Sequence, residues 1–84
     1  MSDKLTLVFV VGGEDVPVQV NPNEPLHAAR NKALAQSDNT GRPPSEWEIR
    51  DARGAMLDPD AKIGALGLAS GARIILSLKV GAGG

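Results

Sequence analysis

Cysteine is absent from the chain. Disulfides, thiolate nucleophiles and cysteine-based zinc sites are therefore excluded together. His27 is the only histidine, so a histidine-rich metal site or a Ser-His pair would rest on a single side chain. No catalytic group, metal site or resident cofactor is expected of this chain. Basic runs are lacking too. The formal net charge is −1, no aromatic-plus-arginine stripe is present, and capture of nucleic acid needs several clustered cations. Long apolar runs are also missing: the one in "MSDKLTLVFVVGG" spans seven residues, too few for a signal peptide or a membrane span. These absences lead to the expectation of a cytoplasmic protein, monomeric when free, with neither nucleic acid nor membrane as a partner.

What is present is the composition of an ordinary globule. At 42% apolar and 23% charged residues the chain is not a disordered tail. Eighty-four residues make one domain, which hides roughly 60–65% of its unfolded surface and retains only ~5 kcal/mol or slightly more of stability. A deep active-site cleft would compete with the core for the same few side chains.

The segment "KLTLVFVV" alternates at Leu5, Leu7 and Phe9 and reads as a strand. A turn at Gly12-Gly13-Glu14-Asp15 leads to "VPVQV", where Val16, Val18 and Val20 share a face and Pro17 points to an edge position. In "NPNEPLHAARNKALAQS", Asn23 or Glu24 is the expected helix cap and Pro25 suits the first turn. Leu26, Ala29, Ala33 and Leu34 fall on one helical face. After the rigid Pro43-Pro44 loop, Trp47 and Ile49 alternate with charged residues, as in a strand buried on one side. A turn at Arg53-Gly54, a short strand from Ala55 to Leu57 and a helical turn carrying Ile63, Leu66 and Leu68 inward follow. The last strand is read over Arg73 to Val80, placed beside the first by the crossover rule. This order makes an α+β domain, a mixed sheet of about four to five strands packed on one helix, over residues 1–80, with residues 81–84 a flexible glycine-rich tail.

These residues resemble ubiquitin over nearly the whole chain. The resemblance is carried by the hairpin, "VNPNEPL" at the helix entry, the Pro-Pro loop of "GRPPSEWEIR", the "LDPDAKIGALGL" segment, the alternating last strand and the final Gly83-Gly84. The Ala/Gly-rich style is most similar to the ubiquitin-like proteins of bacterial conjugation operons. The resemblance implies a β-grasp fold and the function of a protein modifier, in systems associated with antiviral defence. It also implies the partners: an activating enzyme, a conjugating enzyme, a metal-dependent isopeptidase and target proteins. ATP would be used by the activating enzyme and not held by this chain alone.

The chain departs from ubiquitin on the exposed face of its sheet. Two positions of ubiquitin's apolar patch are represented by Arg50, on the strand read as central, and by Ser77. Val8 and Val10, opposite in phase to Leu7 and Phe9, offer a different apolar patch. Lys79 stands where ubiquitin has an arginine after its last strand, and lacks the planar fork of that side chain. Lys4, Lys32, Lys62 and Lys79 match few of ubiquitin's chain-forming positions, so polymer formation is not expected.

The terminal residues carry the chemistry. A carboxylate is a poor electrophile and needs activation, by adenylation and then transfer to a partner's thiol, before an amine can take it. Gly83 and Gly84 have no Cβ and can pass a narrow channel, and Gly81 and Ala82 keep the approach slim behind Lys79 and Val80. At average glycine usage a Gly-Gly end arises by chance about once in 200 chains. A sulfur carrier of the thiamine or molybdopterin type, with Gly84 as a thiocarboxylate, is the alternative, since those proteins share the fold and the Gly-Gly end. A non-covalent interaction module is a third reading. His27 reads as a plain solvent-facing residue, Trp47 as core, and Glu14-Asp15 and Asp58/Asp60 as turn chemistry.

Overall fold

The computed structural model describes residues 4–79. β1 (Leu5–Val11) and β2 (Glu14–Val20) pair antiparallel as a hairpin, with Val11 opposite Glu14. The turn is tighter than expected. Gly12 and Gly13 make it alone at φ +58° and +84°, a left-handed pair whose twist suits a two-residue hairpin, while Glu14 and Asp15 already belong to β2.

Helix α1 (Leu26–Gln36) crosses one face of the sheet and buries Leu26, Ala29, Ala33 and Leu34, the four residues its spacing predicts. Its start differs from expectation. Neither Asn23 nor Glu24 caps it; Pro25 holds that position with no side-chain hydrogen bond. The first two helical amides, which have no partner inside a helix, donate instead to carbonyls from a distant loop. Leu26 N–H reaches Ala61 O and His27 N–H reaches Pro59 O, both at 2.9 Å. Asn21 and Glu24 spend their side chains on the preceding turn, as acceptors for the amides of Asn23 and Asn21.

A single 3-10 turn (Pro44–Glu46) leads into β3 (Trp47–Asp51). The expected strand at Ala55 to Leu57 reduces to an isolated bridge between Met56 and Arg50. Three residues between the turn at Gly54 and Asp58-Pro59 are too few for a ladder. A second 3-10 turn (Ile63–Leu66) sets Ile63 fully inside, with Leu66 and Leu68 packed against the core. β4 covers Arg73–Leu78, so Lys79 lies past its end; Val80, also read as strand, and residues 81–84 lie outside the described residues.

The sheet order is β2-β1-β4-β3, with β1 and β4 parallel in the middle. This is the expected α+β β-grasp arrangement, four strands on one helix. β2 is an edge, in keeping with Pro17, but β3 is the other edge and not a central strand. Leu7, Phe9, Ile63 and Ile74 are completely buried between sheet and helix, and among the described residues no polar or charged side chain joins them.

Candidate functional site

Strand phase sorts the candidate residues onto two faces. Residues paired across neighbouring strands point the same way, and the buried residues of β1 are Leu7, Phe9 and Val11. Val8 and Val10 therefore face away from the helix, both half-buried. Val10 lies opposite Asp15 on β2 and Ile75 on β4, and Ile75 in turn lies opposite Arg50 on β3. One row thus crosses all four strands as Asp15, Val10, Ile75 and Arg50. Val8 lies opposite Pro17 and Arg73, and Ser77 opposite Glu48. The structure thus brings Val8, Val10, Arg50 and Ser77 onto one outer face.

Apolar residues hold the centre of that face, with one ion pair reaching across β1 and another on the β3 edge. Arg73 Nη2 stands 2.7 Å from Asp15 Oδ1. Arg50 donates from Nε and Nη2 to Glu48 Oε2, at 3.2 and 3.0 Å, and from Nη1 to Gly54 O at 2.9 Å. Arg50 is therefore tethered along the β3 edge, with its side chain still 40% exposed. Sequence reasoning missed Ile75, which joins the two valines. Its signal is visible in "RIIL", where apolar residues occupy both phases of the strand.

The second candidate feature is the exit from β4. Leu78 pairs with Trp47, and Lys79 N–H donates to Glu46 O at 2.8 Å. That bond fixes the chain direction one residue past the strand, and the Lys79 side chain is exposed there. Val80, Gly81, Ala82, Gly83 and Gly84, the residues expected to thread partner enzymes and to react, lie outside the described residues.

The minor candidates resolve as local chemistry. Asp58 Oδ1 accepts the Asp60 amide at 2.9 Å, a turn contact. His27 is half-buried at the start of α1. Trp47 is half-buried against the core. Burial lowers the Arg30 pKa, opposed by the charge of Asp60. Among the described residues no three histidine or acidic side chains converge on a metal-sized site, and no helix is long and apolar enough to cross a membrane.

Comparison with solved structures places this architecture. Ubiquitin from Caldiarchaeum subterraneum superposes with a TM-score of 0.75 at 24% identity, covering 90% of this chain and 94% of that one. A de novo design based on ubiquitin gives 0.78 at 19% identity, covering 94% and 93%. The C-terminal ubiquitin-like domain of human 2'-5'-oligoadenylate synthetase-like protein gives 0.75 at 20% identity, covering 94% and 87%. At these identities the likeness is one of fold, and the fold is ubiquitin-like. In sequence, an uncharacterized protein of Sinorhizobium fredii, y4jI, is 43% identical over 81 residues, which span 96% of this chain and 62% of that relative's length. A family described as "Protein of Unknown function (DUF2604)" matches residues 1–84, and the chain belongs to that family.

Proposed function

We propose that this protein is a ubiquitin-like modifier, joined to target proteins through the carboxylate of Gly84. The observation that carries the reading is the exit of β4: a ubiquitin-like sheet ends at a lysine anchored by its own backbone, and Val80-Gly81-Ala82-Gly83-Gly84 follows. In the reaction, a Gly84 carboxylate oxygen attacks the α-phosphorus of ATP on an activating enzyme and pyrophosphate leaves. A partner thiolate then displaces AMP to give a thioester, and a target amine displaces the thiol to give an amide. The thiol must be the partner's, because this chain has no cysteine. The chain itself supplies the electrophile and a recognition surface and performs no catalysis. Val8, Val10 and Ile75, with Arg50 and Ser77 beside them, are the surface a partner would read. The Sinorhizobium relative supports a bacterial setting, where a metal-dependent isopeptidase would reverse the conjugation and antiviral defence is the role proposed.

The test is mass spectrometry of an N-terminally tagged copy recovered from its native host, beside a copy lacking Gly83 and Gly84. The expected result is a set of reductant-resistant adducts with Gly84 on target amines, absent from the shortened copy. A free protein with one terminal oxygen replaced by sulfur would make it a sulfur carrier. Identical partners for both copies, with no adduct, would make it a non-covalent module.

A further inference from the structure

A cleft of about 310 Å³ opens on the helix side of the β3 edge, and nothing in the tail chemistry uses it. Its walls include Trp47, Ile49, Met56 and Leu57. Met56 is 58% exposed, and the only other large apolar side chain so open among the described residues is Leu78, the register partner of Trp47. At ~30 Å³ per water the cleft has the volume of about ten waters, enough for one large apolar side chain. The indole Nε1–H of Trp47 is buried without a hydrogen-bond partner. Such orphans are rare in finished cores.

The charge around the cleft is uneven. Arg30, Lys79, Glu48 and Asp60 all line it. Glu48 is already taken by Arg50 at 3.0 Å, and Asp60 faces Arg30. Lys79 has no ion pair among the described residues. Among the described residues one cation without an ion pair therefore stands beside an apolar hole, and His27 adds no negative charge there.

We infer that this cleft docks a short segment of a partner protein that carries a large apolar side chain beside a carboxylate. The apolar side chain fills the space between Trp47 and Met56, and a carboxylate pairs with Lys79. The inference rests on the cleft and goes beyond the tail reading: it holds or fails equally in a chain lacking Gly83 and Gly84.

Trp47 is the only tryptophan, so its fluorescence reports directly on the cleft. The full chain is titrated with the N-acetylated, C-amidated tetrapeptide Asp-Leu-Phe-Asp, and separately with Lys-Leu-Phe-Lys and Asp-Ser-Ser-Asp. The expected result is a saturable shift of tryptophan emission with the first peptide and binding at least about tenfold weaker with the other two, a difference of ~1.4 kcal/mol. Met56→Glu and Lys79→Glu, both at exposed positions, should retain the parent circular dichroism and thermal midpoint and each weaken the first peptide by about the same factor. No saturable shift, equal binding of the lysine peptide, or full affinity in both folded variants overturns the inference. So does self-association abolished by Met56→Glu, which would give the cleft to a second copy.

Discussion

Single residues in this domain act through clearance as much as through contact. Gly64 shows it. A Cβ built there would lie 3.1 Å from Pro22 Cβ and 3.2 Å from Pro22 O, and the Gly64 amide already donates to that carbonyl at 2.8 Å. Gly64→Ala must therefore push a rigid ring and a backbone away. We expect a loss of roughly 1–3 kcal/mol, the range for overpacking, read as a lower urea midpoint at unchanged slope. Arg73→Ala is the contrasting case. Its pair with Asp15 is short, but both side chains are about half exposed. Such pairs contribute about 0–1 kcal/mol, so the urea midpoint should hardly move even though an ion pair visible in the structure is gone.

At the scale of elements, the helix is the least self-sufficient part. It has eleven residues, no side-chain cap, no acidic residue in its first turn and no basic residue in its last, and isolated helices of that length are marginal in water. Its beginning is completed by the carbonyls of Pro59 and Ala61. First-turn amides normally exchange quickly because they have no intrahelical partner. Here the Leu26 and His27 amides should exchange at rates near those of the β1 core, measured by native-state hydrogen exchange. Fast exchange at both would show that the loop does not hold the helix. The same contact marks the limit of what sequence discloses. The helical face at Leu26, Ala29, Ala33 and Leu34 and the strand phase of Leu5, Leu7 and Phe9 were legible because periodicity is local. The cap was not, since its acceptors lie more than thirty residues away and are backbone atoms that carry no residue signature. Arg50 was legible as a surface residue, but its confinement by Glu48 and Gly54 was not, because it depends on the bend after β3. Ile75 was obscured by its own apolar neighbours.

For the whole molecule, the decisive pairing is β1 with β4, which joins segments more than sixty residues apart at the centre of the sheet. β4 contributes Ile74 and Leu76 to the core, so it is not an appendage to a preformed hairpin. A chain ending before Arg73 is expected to be unfolded, with no cooperative thermal transition by circular dichroism and a solvent-exposed Trp47 emission spectrum. A cooperative transition in that fragment would mean that the hairpin, helix and β3 fold without it.

The parallel run of those two strands also fixes polarity. Val11 stands level with Leu76, so the start of β1 at Leu5 and the end of β4 at Leu78 lie at opposite poles, roughly 26 Å apart at the usual strand rise. Bulk attached ahead of Leu5 is thus kept clear of Lys79. Copies linked through these two poles would string out lengthwise, like rods coupled end to end, each leaving its outer sheet face open along the side.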